Sequence, residues 1–529
     1  MKKILSKTKY LLLSLIYLLP YFKVSLGKFI DGHDFELHLH RIYALESSIT
    51  SGDLLPRWLA NTAFGYGSPI FNFIWGVPYY FSIILKKIGL SYIYSWNLTI
   101  IFAGLLAGLC SYLWLKNKVS NFSAAVGSII YVWTPYRLLN TFVRAGVGEL
   151  YFLALLPLAL YALERINNKK KIAIAAVIFF LLLYSHNGLI LIGLPILLTY
   201  LFFTKKNKKF FKFQLQAIAL GLLLSSFYWL PALRFQSLLN ASVMAKKMLS
   251  FPPLLSLVRS KWEGGSVING QTLIMSFQIG LAQLLIVFIA HIYTVYAIKR
   301  KKIKTEIIYW LVLFWISIFF MQPASRWLWI NLPLIINLQL PFRLLFIPMI
   351  VASALSALLL DNLDNSKRKI VGAALVVLVL LANRNHLGVL KKDFNPLWFK
   401  SYQGSLDSGE TLPKWINQET IKNNPNRYFD EFSIISGKGS IVNQEREDYK
   451  SQATILIEEP GEILIKRTYF PGWHIYINEK EARNFRTDNG IIISLNQGIN
   501  EIKLKFKPPM IIAFANTISV ATLIYLIAL

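Results

Sequence analysis

The sequence predicts a polytopic α-helical membrane protein with a β-rich region near its C-terminus. Three observations lead there. Mean hydropathy is +0.47 and only 16% of residues are charged. Apolar runs of about 20 residues, enough to cross a bilayer, recur along the chain. From about residue 450, short alternating runs replace them.

The apolar stretches lie near 10–26, 69–85, 92–115, 121–135, 149–165, 172–186, 188–203, 213–231, 273–298, 306–322, 341–360, 370–386 and 510–529. The first follows "MKKILSKTK" as a signal peptide would, but no small-x-small cleavage site comes after it, so it reads as a retained helix. Basic clusters stand at 116 ("KNK"), 169 ("KKK"), 205 ("KKNKK"), 299 ("KRKKIK") and 366 ("SKRK"). Short cytoplasmic loops carry the lysines and arginines. If every stretch crossed, Lys2 and Lys3 would be inside and all five later clusters outside. If 69–85, with Pro69, Trp75, Pro78 and paired tyrosines, instead lies along the outer interface, the N-terminus and all five clusters are inside together. Only Lys86 and Lys87 then face the wrong way. The expected topology is about twelve crossings plus an interfacial helix, both termini inside, in the plasma membrane.

This topology gives a transmembrane domain over 1–386 with a first outer loop at 27–91, an extracytoplasmic region over 387–508, and a last crossing at 509–529. In the outer region "ATILIEE", "EILIKRTYF", "HIYINEK", "GIIISLN" and "NEIKLKF" alternate between turn residues, the pattern of an antiparallel sheet or sandwich. Cys110 is the only cysteine, so no internal disulfide forms and a thiolate metal site is not expected. The net charge of +29 fits basic membrane loops, and no nucleic-acid partner is expected.

The polar residues cluster on the outer side. "FIDGHDFELHLHRI", residues 29–42, holds three of the seven histidines, His33, His38 and His40, with Asp31, Asp34 and Glu36. On a helix starting at Asp34, that residue, His38 and Arg41 share one face at i, i+4 and i+7. A carboxylate there can take a proton from a hydroxyl, or join Asp31 or His33 around a hard divalent ion; the plain alternative is a solvated headgroup-level loop. Arg144 and Arg343 are candidate phosphate ligands, with Glu149 orienting Arg144 and His186 closing a helix nearby. Lys246, Lys247, Arg259 and Lys261 in the long 232–272 loop are weaker candidates. No P-loop, GxGxxG, CxxC or GxSxG is present, so no nucleotide or redox cofactor is indicated.

In order, "DGHDFELHLHRI", "GDLLPRWLANTAFGYGSPIFNF", "PYRLLNTFVRAGVGELYFLALLPLAL", "YSHNG", "SSFYWLPAL", "SFQIGLAQLL" and "LQLPFRLLF" resemble the membrane proteins named 6-pyruvoyl-tetrahydropterin synthase-related. "YFPGWHIYINEK" and "LNQGINEIKLKFKPP" resemble the outer domain of YfhO-like proteins. These families are similar to the GT-C glycosyltransferases. The resemblance implies a GT-C-type fold, a first-loop acid as catalytic group (Asp34, then Asp31) and polyprenyl-phosphate sugar donors. The expected function is therefore sugar transfer to a glycan, lipid or protein acceptor of the cell envelope. Asp34 and His38 would be catalytic, with Arg41, Arg144, Glu149, His186 and Arg343 binding substrate. The alternatives are a transporter or flippase of lipid-linked glycan and a non-catalytic envelope assembly protein.

Overall fold

The structure is a computed structural model that describes residues 2–26, 29–204, 207–262, 275–301, 304–332, 335–388, 390–391, 409–426 and 430–529. Among them six helices are long and apolar enough to cross a membrane: Tyr92–Lys116, Val147–Arg165, Asn187–Thr204, Leu281–Lys299, Pro341–Asp361 and Met510–Ala528. Two bent pairs raise the number to eight, Lys208–Leu224 with Ser226–Leu238 at 65° and Thr305–Phe320 with Pro323–Asn331 at 83°. Several helices begin at a side-chain cap. Asn168 accepts from the Lys171 amide and Asn207 from the Phe210 amide, so two of the basic runs also start helices. Large side chains on the outer faces stay exposed, among them Phe288, Trp315, Phe514 and Ile524. An apolar belt of this kind is what hydrocarbon covers.

The 69–85 stretch forms one tight turn, Ile70–Asn72, and a helix Val77–Lys87 with Pro78 in its first turn. Eleven residues rise about 16 Å, roughly half the hydrocarbon thickness. This segment is too short to cross. It packs beside the Phe35–Thr50 helix of the first loop and the long Tyr92–Lys116 helix.

Strand β1, Phe29–Ile30, pairs antiparallel with β2, Leu390–Lys391. The other strands are β3 (Phe432–Arg446), β4 (Lys450–Ile465), β5 (Trp473–Ile477), β6 (Lys480–Glu481), β7 (Ile491–Leu495) and β8 (Gly498–Phe506). All pair antiparallel, in the order β3-β4-β8-β5-β6, with β7 on β4. The runs "ATILIEE" and "EILIKRTYF", which read as two strands, form one long β4. Pro460 and Gly461 do not turn the chain; they mark where β4 changes partner from β8 to β7. Strand β3 escaped the sequence reading because much of it is exposed on both faces, so its residues do not alternate.

The sheet sits on the first loop. Arg446 Nη2 donates to the carbonyls of Ala60 and Gly65, both at 2.7 Å, and Thr468 N donates to Tyr66 O at 2.9 Å. Trp58 packs edge-on against Trp473, 5.2 Å between ring centres. Gly65 has φ +86°, and a Cβ there would meet Asn426 O at 2.2 Å. "AFGYG" is therefore a seat that only glycine fits at its centre. Gly65→Ala should destabilise this seat by about 1–3 kcal/mol through backbone strain and the clash. Gly52→Ala, also at positive φ but in open space, should lower the melting temperature of the detergent-purified protein less; equal shifts would deny the seat its role.

Candidate functional site

Two turns lie back to back. His33 N donates to Val143 O at 2.9 Å, and Asp34 N to Arg144 O at 3.1 Å. A Cβ on Gly32 would meet Ala145 N and Cβ at 2.8 Å, so the glycine of "DGHD" is required by this close approach. The pairing brings the first loop to the "RAGVG" turn, 110 residues further on. Asp34 stands at the N-terminus of Phe35–Thr50. Its side chain makes no cap bond and accepts no hydrogen bond from any described residue.

Beside it lies a buried polar hub. Glu149 opens the Val147–Arg165 helix and is 2% exposed. Its Oε1 accepts from Arg144 Nη1 at 2.7 Å and from Arg343 Nε at 2.9 Å, and its Oε2 from Tyr136 OH at 2.6 Å. Arg144 Nη1 also meets Asn140 Oδ1 at 2.5 Å; Arg343 Nη1 donates to Leu338 O at 2.7 Å and to Gln339 Oε1 at 3.2 Å. The Arg144 guanidinium lies 5.2 Å from the Phe342 ring centre. Among the described residues no acceptor reaches Nε or Nη2 of Arg144 or Nη2 of Arg343. His186 Nδ1 accepts from Leu189 N at 3.1 Å, so the ring proton sits on Nε2, which is 3.9 Å from Glu149 Oε1.

A second group backs the first. His38 Nδ1 and Tyr79 OH are 2.8 Å apart, and Arg41 Nη1 donates to the same hydroxyl at 3.0 Å. The His38 side-chain hydrogen bond runs to Tyr79 and not to Asp34, because the helix buries the ring against Trp96 and Trp75. Tyr79 and Trp75 stack at 4.8 Å. The segment from Ile70 to Lys87 thus supplies the wall behind the first-loop helix.

One cavity of about 800 Å³ joins these groups. Asp34, His38, Arg41, Arg144, Glu149, His186 and Arg343 all line it, as does His33. Asp31 does not, and among the described residues no three His, Cys, Asp or Glu side chains gather as metal ligands. The expected grouping of Asp31, His33 and Asp34 is therefore not formed. Gly32 and the amide bonds of residues 33 and 34 spend this turn on the 143–145 backbone. Lys246, Arg259 and Lys261 are exposed and away from the cavity lining, and the Lys247 side chain falls outside the described residues. Sequence reasoning missed Tyr79, Tyr136, Gln339 and Glu410, of which the last two also line the cavity. Only Tyr79, in the proline- and aromatic-rich 69–85 stretch, carried a signal. The rest of the wall is apolar, including Leu191, Leu194, Leu198, Leu222 and Leu233. Leu198 is 39% and Leu233 48% exposed, so the cavity reaches the outer apolar surface there.

Residues 71–387, more than half of the chain, match the profile of the 6-pyruvoyl-tetrahydropterin synthase related domain, a membrane protein. The chain belongs to this family. The match includes Tyr79 and the Glu149 hub but begins after Asp34 and ends before Glu410. An uncharacterized protein of Lactococcus lactis subsp. cremoris (strain MG1363) is 24% identical over 239 residues, 42% of this chain and 39% of that protein. Arabinofuranosyltransferase AftD from Mycobacteria, by cryo-electron microscopy, aligns over 74% of this chain and 28% of its own, with 14% identity and a TM-score of 0.46. A mutant of AftD gives 12% identity, 74% and 29% coverage, and a TM-score of 0.44. The chain thus spans well under half the length of each of these relatives.

Two outcomes follow for this 6-pyruvoyl-tetrahydropterin synthase related protein. Glu149→Gln leaves two buried guanidiniums without their shared counter-charge, and breaking a buried pair costs about 3–5 kcal/mol; a large drop in melting temperature is expected, and an unchanged one would show that the hub is not holding the helices. Burial, and then the charge of Arg41, hold the His38 ring well below its ordinary value of 6.5. Below about pH 6.5 the unfolded chain binds a proton that folded His38 refuses, so stability is full above that pH and falls with acidification. Melting temperatures recorded from about pH 8 to 5 should drop, and His38→Gln should lessen the drop.

Proposed function

We propose that this protein is a membrane glycosyltransferase that moves a sugar from a polyprenyl-phosphate donor to an acceptor on the outer face of the membrane. The observation that carries the reading is a single cavity with three unlike walls. One holds Asp34, whose carboxylate accepts no hydrogen bond from a described residue and lies within electrostatic reach of Arg144. The second holds the Arg144 and Arg343 guanidiniums, fixed by Glu149 with N–H groups left over. The third is apolar and opens at Leu198 and Leu233. Left-over guanidinium donors suit a phosphate, and an adjoining apolar flank suits a hydrocarbon chain.

In the transfer, Asp34 takes the proton of an acceptor hydroxyl as its oxygen attacks the anomeric carbon. The bond from that carbon to the phosphate oxygen breaks, and its electron pair leaves with the lipid phosphate. Arg144 and Arg343 meet this growing negative charge, the place where fixed donors lower a barrier most. His186, with its proton on Nε2, adds a neutral donor beside them.

The topology that goes with this reading has twelve crossings. Six long helices and two bent pairs make eight, and Tyr10–Val24, Asn121–Val132, Lys169–Leu183 and Asn365–Asn383 add four. Residues 69–87 then lie at the outer interface, with the site and the sheet on the outer side.

General-base help is worth about 10²–10⁴-fold. Membranes holding Asp34→Asn should transfer radiolabelled sugar from a panel of polyprenyl-phosphate sugars that much more slowly than wild type, with the purified variant still folded. Transfer at the wild-type rate would remove Asp34 as the base.

A further inference from the structure

Each of the two arginines assigned to the phosphate has a residue nearby in a backbone conformation that non-glycine residues rarely take. Ala145, directly after Arg144, has φ +58°, and Gln339, four residues before Arg343, has φ +63°. Both are left-handed, where a Cβ crowds the carbonyl that follows and glycine or asparagine is the ordinary choice. Strain of this kind persists only where the surroundings over-determine it, and it gathers at ligand clamps.

At Gln339 those surroundings are explicit. The residue closes the one-turn helix Ile335–Leu338. Its N–H donates to Ile336 O at 2.9 Å, and the N–H of Leu340 to Leu338 O at 2.7 Å. The chain reverses there, which brings Leu338 O and the Gln339 amide onto one nitrogen of Arg343. Nη1 donates to Leu338 O at 2.7 Å and to Gln339 Oε1 at 3.2 Å, while Nε is spent on Glu149. Nη2 is what remains for a ligand, since among the described residues nothing accepts from it.

The amide is fixed at its other end too, because Gln339 Nε2 donates to Glu410 Oε2 at 2.9 Å. With its nitrogen turned to a carboxylate, its oxygen faces the guanidinium. The single bond to Glu149 fixes a point on Arg343 and not a plane; the two bonds from Nη1 fix the plane. A long side chain ordered before the ligand arrives does not have to be ordered on binding, and that raises affinity. Glycine would relieve this turn and lose the oxygen, so the glutamine is held in a strained backbone for what its side chain does.

We propose that Gln339 is a positioning residue for Arg343: its left-handed backbone and its amide oxygen set the guanidinium so that Nη2 meets the phosphate of the donor. The inference rests on the glycosyltransferase reading and deepens it. Gln339 acts through Arg343 and not on the reacting atoms.

The test uses the purified full-length protein in nanodiscs, with decyl phosphate as the probe. The variants are Gln339→Gly, Gln339→Met and Arg343→Lys, alone and combined. Gln339→Gly suits the left-handed turn and Gln339→Met keeps the length of the side chain; both lose the amide. Each should weaken decyl phosphate about tenfold, the scale of one hydrogen bond to a charged group. Arg343→Lys keeps the charge but has no planar fork to hold, so in that background, with Arg144 still binding the probe, neither Gln339 variant should weaken it further. A residue that only supported the fold would add its loss to that of Arg343→Lys. Normal binding by either Gln339 variant, additive losses, or no binding by wild type overturns the proposal. If wild-type membranes transfer no sugar from any polyprenyl-phosphate donor while the Gln339 losses stand, the glycosyltransferase reading fails, and Gln339 keeps its place at an anion site.

Discussion

Glu149 has to be considered first, because a carboxylate in the interior of a helix bundle is unfavourable unless every lone pair is answered. Here the answers come from far apart in sequence: Tyr136 and Arg144 precede it closely, and Arg343 lies 194 residues later. The hub therefore joins the Pro135–Phe142 helix, the 143–146 turn, the Val147–Arg165 helix and the start of the segment leading into Phe346–Asp361. Replacing a buried ion pair by apolar side chains is often neutral or stabilising. Stability is thus a poor reason for the hub. What it does provide is two guanidiniums fixed on one shared carboxylate, with N–H groups left over.

The same constraint explains why the first loop is long. Once Arg144 is tied to Glu149, the backbone carbonyls of residues 143 and 144 are fixed, and they in turn receive the amides of His33 and Asp34. The catalytic candidate is therefore located through the main chain, and its carboxylate stays unengaged. The Phe35–Thr50 helix is then fixed from behind by His38 and Arg41 on Tyr79. Further along, Arg57 donates to Asn72, Phe227 O and Asn516, and links the loop to the last helix. The seat at Ala60–Gly65 receives the sheet. One loop thus touches the bundle, the C-terminal helix and the sheet.

Much of this was legible in the sequence where periodicity or composition carried it. Asp34, His38 and Arg41 were placed on one face by their spacing, and all three line the cavity. The charge of the loops set 69–85 apart from the spanning stretches, and the helix there has only eleven residues. Partners chosen in three dimensions were not legible. Nothing near His38 announces Tyr79, and nothing near Glu149 announces Arg343. Strand β3 was lost for a different reason: without a buried face it has no alternation to read. Glu410 lies in a segment with neither period, and only tertiary contact reveals it.

The helical and sheet regions meet at the cavity, and this bears on how a lipid and a sugar could be handled together. The apolar wall belongs to the Asn187–Thr204 helix and the bent pair that follows it. The polar part of the lining comes from the first loop, the 143–149 turn and the 338–343 segment, together with Glu410 and Thr411. Hydrocarbon gains nothing from the polar wall, and hydroxyls lose hydration against the apolar one. An amphipathic ligand is therefore oriented by partition alone, its chain toward Leu198 and Leu233 and its head toward Arg144 and Arg343. On the proposed reading, orientation fixed in this way leaves the side chains near the head to act on the bond between sugar and phosphate, while the main-chain pairing of residues 33 and 34 with 143 and 144 places Asp34 beside them.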